Sequence, residues 1–368
     1  MDSGKTLVFG CTESILLIYD DSITMMTQLL EYGQEETWRL WLSNLESYSC
    51  VVLCDTNTFQ HCYPKAQAEQ ILPQHHQLIV VPAGEASKSF EQVVQVVEQM
   101  HVAGLGKKSI LICLGGGMIC DLGGFIAHIY MRGIQLAHIP TTLLCMADAC
   151  LGGKNGIDFQ GIKNQIGSIH HPEAIWINAA FLNTLDERTK KSGIAEMIKH
   201  TLLQSEDAFD HACQLPVNAF YDTRQILAGL RFKQKITEQD EADLGLRQIL
   251  NFGHSIGHAI ESESYTREKS LLHGEAILLG MLYELRLSHL YLGCSMEILR
   301  QYGRFFKKIF PDLKFEARVD DLLPYLNRDK KNNQGYRMSL LKNPGHPQTG
   351  VLVSAEAIYK CFQDDLFL

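Results

Sequence analysis

The stretch SILICLGGG, from Ser109 to Gly117, indicates the fold class of this chain. A short apolar run that ends in glycines is typical of a strand buried on both faces, and the helical pattern that follows continues to Tyr130. Similar apolar runs predict strands at residues 49–55, 77–82, 135–139 and 174–177, and a helical pattern occupies residues 90–102. Strands that alternate with helices predict an α/β domain with a parallel sheet covered by helices.

The pattern changes near residues 179–184. Beyond this point the spacing of apolar residues predicts helices at 193–203, 224–237, 248–263 and 274–290, with no comparable strand among them. We therefore expect an α/β domain over residues 1–180 and an all-α domain over residues 181–368.

Composition excludes several classes of protein. The chain has 368 residues, 46% hydrophobic and 20% charged, without any low-complexity tract, so disordered and fibrous classes are excluded. The net charge of −9 argues against nucleic acid and anionic membranes as partners. It still allows a small anionic substrate in a basic cleft.

The cysteines and the N-terminal sequence bear on location. The chain has 11 cysteines, an odd number without a CxxC pair, and most lie in apolar runs, which favours free thiols in a reducing compartment. The first ten residues lack the basic and apolar regions of a signal peptide, and no apolar run approaches the roughly 20 residues that span a bilayer. We expect a cytoplasmic protein.

The glycines Gly115, Gly116 and Gly117 allow two interpretations. At a strand-to-helix junction they would let the backbone approach a phosphate group beside a helix N-terminus. The GxGxxG dinucleotide fingerprint fails because position 120 is Cys120, so a tight turn without a ligand fits the pattern as well.

Polar residues follow the predicted strand at 135–139. Lys154 suits a phosphate group, while Asp148 and Asn164 suit hydroxyl groups, so this stretch could hold a phosphorylated polyhydroxy molecule. A polar surface loop is the alternative. The apolar residues 143–146 and Ile157 favour the binding interpretation.

Histidines provide the strongest candidate for a metal site. His254 and His258 lie one helical turn apart on one helix face, but the glutamate of the HExxH zinc motif is missing, since Ser255 follows His254. His273 opens the next predicted helix, and Glu196 lies on an earlier one. Together they could form a zinc site with an open position for water or substrate. The spacing leaves open which histidines bind metal and which acts as acid or base, and a structural role in the core is the alternative for each of them.

Eight blocks of the sequence closely resemble 3-dehydroquinate synthase. They are DLGGF (121–125), YMRG (130–133), PTTLL (140–144), GGK (152–154), KNQIG (163–167), AEMIK (195–199), LNFGHSIGHAIE (250–261) and LHGE (272–275). They occur in the family's order and, with flanking matches, span about residues 55–331. The resemblance implies a Rossmann-like NAD-binding domain, a helical domain, one zinc or cobalt ion and a homodimer.

The resemblance also implies a reaction. The family converts 3-deoxy-D-arabino-heptulosonate 7-phosphate (DAHP) to 3-dehydroquinate and phosphate, in the shikimate pathway of aromatic amino acid biosynthesis. A hydroxyl group is oxidised by NAD, the resulting ketone permits phosphate elimination, the hydride is returned, and an intramolecular aldol step closes the ring. NAD ends unchanged, as a catalytic cofactor.

Roles for single residues follow from the resemblance as well. Glu196, His254 and His273 match the metal ligands, and His258 matches a partner of the substrate phosphate and of proton transfer. The implied catalytic set is Lys154, Glu196, Lys199, Lys233, Asn251 and His258. The implied substrate-binding set is Arg132 (supplied across the dimer), Asp148, Lys154, Asn164, Lys199, Lys233, Arg247, Asn251, His258 and one of Lys330 and Lys331. The implied NAD-binding set is Asp55, Asn57, Gly84, Glu85, Lys88, Gly115, Gly116, Gly117, Asp121, Thr141, Thr142, Lys154, Lys163, Phe181, Leu182 and Thr184.

A few positions depart from the family pattern, and three other functions compete with it. Asp243 stands where glutamate is common, Cys120 where glycine is usual, Asn155 where threonine is usual, and Ala149-Cys150 where a serine pair is common. The competing functions are a related sugar-phosphate cyclase of the 2-epi-5-epi-valiolone or 2-deoxy-scyllo-inosose synthase type, a metal-dependent alcohol or glycerol-phosphate dehydrogenase, and a catalytically silent binding protein. The retained set Lys233, Arg247, Asn251 and His258 favours DAHP over the cyclase substrates, and the intact metal set argues against a silent protein.

Overall fold

The structure is a computed structural model, and it describes residues 27–31, 33–45, 47–160, 162–313, 315, 318–326 and 335–363. Two of the residues implied to bind substrate, Lys330 and Lys331, lie outside the described residues, as does Cys11.

The first half of the chain alternates strands and helices, as predicted. Its elements are β1 (Gln28–Glu31), α1 (Glu35–Ser43), β2 (Ser49–Asp55), α2 (Thr56–His61), α3 (Tyr63–Ala68), β3 (Gln77–Val81), α4 (Phe90–Val102), β4 (Ser109–Gly115), α5 (Gly117–Ile129), β5 (Gln135–Pro140), β6 (Lys154–Phe159), β7 (Ile162–Ile169) and β8 (Ala174–Ile177). All five apolar runs predicted as strands form strands, and β4 is buried along its whole length. An apolar run without polar alternation is what a strand covered on both faces requires.

Six strands form one parallel sheet in the order β1-β8-β5-β4-β2-β3. The chain runs from β2 outward to β3 on one side and then returns to β4 on the other side of β2. This reversal opens a crevice at the carboxyl ends of β2 and β4, where ligands bind in open α/β sheets. The prediction of a Rossmann-like parallel sheet is therefore confirmed.

The polar stretch after β5 is not a loop. It contains a π-helical turn at Cys145–Ala149 and an antiparallel hairpin formed by β6 and β7. The hairpin carries Lys154 and Lys163 away from the main sheet and toward the second half of the chain.

Helices dominate the second half. They are α6 (Glu187–Gln204), α7 (Glu206–Gln214), α8 (Thr223–Gln239), α9 (His254–Ser264), α10 (His273–Leu292), α11 (Met296–Ile309), α12 (Val319–Leu326) and, after the hairpin of β9 (Tyr336–Asn343) and β10 (His346–Val353), α13 (Ala355–Gln363). The helical region is confirmed, and the hairpin is an addition that the apolar spacing did not predict. Among the described helices, none has the length and apolar character needed to cross a bilayer.

The prediction of one continuous helix at residues 248–263 was wrong about where the helix begins. A 3-10 turn at Leu246–Asn251 and α9 take its place, because Gly253 between them has φ of 83°. This left-handed conformation favours glycine and interrupts a helix. The break lets α9 begin at His254, so the helix N-terminus lies at the candidate metal site.

A close helix contact positions the same region. α10 is buried on nearly all sides and packs against α6 and α9. A Cβ atom on Gly274 of α10 would lie only 1.8 Å from the carbonyl oxygen of Ser192 on α6. Only glycine permits this approach, which brings the first turn of α10 beside the second turn of α6.

Candidate active site

The residues implied to bind NAD gather at the carboxyl ends of the parallel strands. Asp55 ends β2, Gly115 ends β4 and Thr141 follows β5, while a 3-10 turn at Ala179–Thr184 follows β8. This last turn contains Phe181, Leu182 and Thr184. Side chains that come from distant parts of the sequence meet at one edge because parallel strands share their carboxyl ends.

The two residues implied to bind the adenosine ribose differ in their surroundings. The Asp55 carboxylate accepts a hydrogen bond from the backbone N–H of Thr58 at 2.8 Å and so caps α2. Asn57 is exposed in the first turn of the same helix.

The glycine loop leads directly into a helix N-terminus. Gly116 precedes α5, and no side chain caps the first N–H groups of this 13-residue helix. A Cβ atom on Gly116 would lie 3.1 Å from Cγ2 of Thr142, so the loop packs tightly against the segment after β5. Uncapped N–H groups and the positive end of the helix dipole suit an anionic group such as a pyrophosphate. The residues present therefore fit a dinucleotide.

Lys88 is the centre of a buried polar network beside this loop. Its side chain is 3% exposed, and Nζ lies 2.9 Å from Asp121 and 3.3 Å from Glu85. Nζ also donates to the side-chain oxygen of Asn164 on β7. Burial raises the pKa of Asp121 to about 6, although Lys88 acts in the opposite direction. Asn164, which was expected to bind substrate, here joins the residues expected to bind NAD.

Three helices bring the candidate metal ligands together. Glu196 of α6 is 1% exposed, and its Oε1 atom lies 3.5 Å from Nε2 of His254 and 3.6 Å from Nε2 of His273. Glu196 Oε1 accepts no hydrogen bond from the described residues. A buried carboxylate oxygen without a hydrogen bond is costly, and two imidazole nitrogens face it. Two imidazoles and a carboxylate suit a divalent ion such as zinc, so the residues present fit a metal.

Backbone and carboxylate oxygens orient both imidazole rings. Nδ1 of His254 lies 3.2 Å from the carbonyl oxygen of Phe252, and Nδ1 of His273 lies 3.0 Å from Oε2 of Glu261. Both oxygens can only accept a hydrogen bond, so Nδ1 carries a hydrogen, and Nε2 is the ring nitrogen that faces Glu196 and could bind a metal ion.

His258 is the exposed member of the same cluster. Its ring centroid lies 5.1 Å from that of His254 and 5.7 Å from that of His273. Geometry alone therefore allows His258 as a third histidine near an ion. Among the histidines in the described residues, however, only His254 and His273 lie within 4 Å of the Glu196 carboxylate.

A second cluster of charges adjoins the metal candidates. Asp148 Oδ1, in the π-helical turn, lies 3.1 Å from Nζ of Lys233, 4.0 Å from Nζ of Lys199 and 3.4 Å from Nε2 of His200. Lys199 also pairs with Glu196, one helical turn earlier on α6. Burial alone would raise the pKa of Asp148, but Lys233 and Lys199 hold it well below its usual range.

Burial alone would likewise raise the pKa of the Glu196 carboxyl, but Lys199 lowers it. Both carboxylates are therefore ionised at neutral pH, and two buried lysines face them. The two lysines and the two carboxylates balance in charge, so Lys199 and Lys233 could bind an anionic substrate group once a metal ion takes up the Glu196 carboxylate.

Further charged residues bridge the α/β and helical halves. Lys154 on β6 pairs with Asp243, and the guanidinium of Arg247 donates to the carbonyl oxygen of Gly152 at 2.8 Å. Asp243 occurs where the family commonly has glutamate, and it retains a carboxylate that reaches Lys154. These pairs line the boundary between the two halves with groups able to bind phosphate or carboxylate.

Two of the predicted substrate residues are not drawn into either cluster. Arg132 is exposed on a turn after α5 with φ of 61°, and Asn251 is exposed at the end of the 3-10 turn before Gly253. Nζ of Lys107 donates to the carbonyl oxygens of Met131, Arg132 and Gly133, which holds the turn that presents Arg132.

Three buried residues near the site were missed in the sequence. His200 lies four residues after Glu196, Glu261 lies seven residues after His254, and Glu284 reaches α9 from α10. Helical spacing could have found the first two, since positions four and seven apart share a helix face. Nothing in the local sequence marks Glu284.

Family models match most of this chain. A model described as the 3-dehydroquinate synthase N-terminal region matches residues 78–192, and one described as the C-terminal region matches residues 193–332. A 3-dehydroquinate synthase of Parabacteroides distasonis is 38% identical over 326 residues, which cover 86% of this chain and 91% of that protein.

Solved structures share the fold at low sequence identity. A 2-deoxy-scyllo-inosose synthase complexed with carbaglucose-6-phosphate, NAD+ and Co2+ has a TM-score of 0.79 at 21% identity, with coverage of 91% of this chain and 95% of that one. A 2-epi-5-epi-valiolone synthase from Streptomyces hygroscopicus with NAD+ and Zn2+ bound has a TM-score of 0.78 at 24% identity, with coverage of 96% and 98%. Both show a shared fold.

Proposed function

The chain belongs to the 3-dehydroquinate synthase family, and from this premise we propose that it converts DAHP to 3-dehydroquinate and phosphate. The observation that carries the proposal is the arrangement around Glu196, whose Oε1 faces Nε2 of His254 and His273 while its Oε2 pairs with Lys199. Lys199 also lies 4.0 Å from Asp148, which pairs with Lys233. A metal-binding set and a cationic set side by side suit a substrate with hydroxyl groups, a carboxylate and a phosphate.

Glu196, His254 and His273 would hold a zinc or cobalt ion. The bound metal supplies a Lewis acid that polarises a hydroxyl oxygen of the substrate. Glu196 is buried and lacks another hydrogen bond at Oε1, which supports its assignment as a ligand. The structural relatives bind Co2+ in one case and Zn2+ in the other.

The crevice at the carboxyl ends of β2 and β4 would hold NAD. The cofactor supplies a reversible hydride acceptor and ends the cycle unchanged. The uncapped N-terminus of α5 would bind its pyrophosphate, and Lys88 and Asp121 would support the loop below it. Lys163 on β7 lies between this edge of the sheet and α9.

The cationic residues would bind the anionic groups of the substrate. Lys199 and Lys233 lie deepest, with side chains 2% and 7% exposed, whereas Lys154 is 54% exposed. This difference in exposure supports an assignment in which Lys199 and Lys233 orient the reacting part of the substrate and Lys154 binds substrate groups nearer to solvent. Arg247, Asn164, Asp148 and Asn251 complete the proposed contacts.

His258 would contact the substrate phosphate and move protons. It is the exposed histidine of the cluster and lies next to both proposed metal-binding histidines. A neutral imidazole in this place can accept a proton as phosphate leaves, without competing for the metal.

The domain division, the homodimer and the cytoplasmic location are also part of the proposal. We divide the chain into a nucleotide-binding domain over residues 1–180 and a metal- and substrate-binding domain over residues 181–368, in line with the change from sheet to helices. A homodimer is supported by the exposed Arg132, since a partner subunit could receive its side chain. A cytoplasmic location is supported by the cysteines, because the nine from Cys50 to Cys294 in the described part of the chain have free thiols.

The test is phosphate release. The full chain, supplied with Zn2+ and a substoichiometric amount of NAD, is expected to release phosphate from DAHP without net accumulation of NADH. Glu196→Gln should abolish release, whereas Glu206→Gln, an exposed carboxylate on α7, should leave it unchanged. Turnover of sedoheptulose 7-phosphate in place of DAHP would instead make the chain a sugar-phosphate cyclase, and steady NADH production from a polyol would make it a dehydrogenase.

A further inference from the structure

Glu261 is a buried carboxylate that no proposed step of the reaction uses. It lies on α9, and its side chain is 5% exposed. The four residues His254, His258, Glu261 and Tyr265 follow one another at spacings of four, three and four, so they share one face of this helix. This face runs from the metal candidates toward the β6–β7 hairpin.

The two carboxylate oxygens of Glu261 have different hydrogen-bond partners. Oε2 lies 3.0 Å from Nδ1 of His273 on α10. Oε1 accepts hydrogen bonds from Nζ of Lys163 at 2.7 Å and from the hydroxyl of Tyr265 at 2.8 Å. Two donors fix one oxygen, so the carboxylate has little freedom to rotate away from His273.

We propose that Glu261 is a positioning residue, which orients His273 for metal binding and is itself held in place by Lys163 and Tyr265. This inference rests on the proposed metal site. The carboxylate accepts the hydrogen on Nδ1, which orients the ring and leaves Nε2 as the nitrogen that would bind the metal beside Glu196.

General chemistry of metal sites supports this role. A histidine ligand commonly donates its second ring N–H to a carboxylate, which fixes the ring and makes the ligating nitrogen more basic. His254 has only the carbonyl oxygen of Phe252 at the corresponding position. The two histidines therefore differ: Nδ1 of His273 has a carboxylate as its acceptor, whereas Nδ1 of His254 has only a backbone carbonyl oxygen.

Lys163 extends the network to the other half of the chain. It belongs to β7, 98 residues before Glu261, and it also belongs to the residues proposed to bind NAD. The contact that fixes Glu261 is thus one between the hairpin and the helices. Loss of the contact between Lys163 and Glu261 should weaken metal binding, because Glu261 would then hold the ring of His273 less firmly.

The experiment measures metal affinity, which does not depend on turnover. Zn2+ dissociation constants are obtained by competition with a chromophoric chelator for the wild-type chain, Glu261→Leu, Glu261→Gln and Lys163→Met. We expect Glu261→Leu to weaken Zn2+ binding about 10- to 100-fold. Glu261→Gln keeps an acceptor for Nδ1 and should recover most of the affinity, and Lys163→Met should weaken binding by less than Glu261→Leu.

A cobalt spectrum distinguishes positioning from general destabilisation. With Co2+ bound, Glu261→Leu should shift the visible absorption bands, because the ring of His273 is reoriented. Glu263→Gln is the matched control, since Glu263 is a buried carboxylate on the same helix that pairs with Arg267 instead of a histidine. It should leave both the Zn2+ affinity and the cobalt bands unchanged.

Two results would overturn the inference. Wild-type affinity and an unchanged cobalt spectrum in Glu261→Leu would show that His273 needs no carboxylate. Equal weakening in Glu261→Leu, Glu261→Gln and Glu263→Gln would assign the effect to folding. Failure of the underlying metal site is recognised separately, because then the wild-type chain itself would bind no Zn2+ and His254→Ala would change nothing.

Discussion

Glu284 should make the stability of this protein fall as the pH rises. Its side chain on α10 is fully buried, and its carboxyl oxygens accept hydrogen bonds from the backbone N–H groups of Gly253 at 2.6 Å and Ile256 at 3.0 Å. Burial raises its pKa from 4.5 to about 8, although these N–H groups act in the opposite direction. The folded protein therefore binds a proton on Glu284 more tightly than the unfolded chain does.

The sign and size of the effect follow from this difference. A carboxyl whose pKa is higher in the folded state contributes its full stability below about pH 4.5 and loses it as the pH rises to about 8. A tenfold change in proton affinity is worth about 1.4 kcal/mol, so this one group changes the free energy of unfolding by at most about 5 kcal/mol. In Glu284→Gln this titration is absent, while an amide NH2 facing a backbone N–H costs about 1–3 kcal/mol at every pH.

Urea unfolding of both proteins, followed by tryptophan fluorescence across this pH range, gives the comparison. The free energy of unfolding of the wild type, minus that of Glu284→Gln, should be largest at the acidic end and fall steadily toward pH 8.5. Glu98→Gln, at an exposed site on α4, should run parallel to the wild type. Parallel curves for Glu284→Gln as well would refute the reasoning, because they would mean that the pKa of Glu284 is the same in the folded protein as in the unfolded chain.

Two further predictions concern the metal candidates. His254→Ala should lose bound Zn2+, as measured by metal analysis after dialysis, whereas His258→Ala should retain the ion and lose rate; equal zinc content together with equal activity in the two variants would contradict the division of roles. Gly274→Ala should lower the free energy of unfolding by about 1–3 kcal/mol, because the new methyl group meets the Ser192 carbonyl oxygen and pushes α10 from α6. The same shift should weaken Zn2+ binding by moving His273 away from Glu196, and unchanged affinity would show that the two helices can separate without disturbing the site.

Local sequence patterns predicted much of the fold. The strand at Ser109–Gly115 and the helix that follows were predictable because an apolar run, three glycines and a helical repeat each act over a few residues. The helix start at His254 was not, because Gly253 interrupts an apolar pattern that continues across it. The β9–β10 hairpin was missed for a similar reason, since its second strand alternates exposed and half-buried residues and offers little apolar signal.

The sequence by itself determined which residue types are available, and the order of motifs carried the family resemblance. Residue type and motif order together were enough to make Glu196, His254 and His273 candidates for the metal site. Tertiary structure decided which atoms meet: that both Nε2 atoms face the same Glu196 oxygen, and that Glu261 takes the Nδ1 hydrogen of His273. The physical reason is distance along the chain. A contact such as that between Lys163 and Glu261 joins residues 98 positions apart, and no local pattern records it until the sheet and helices are packed together.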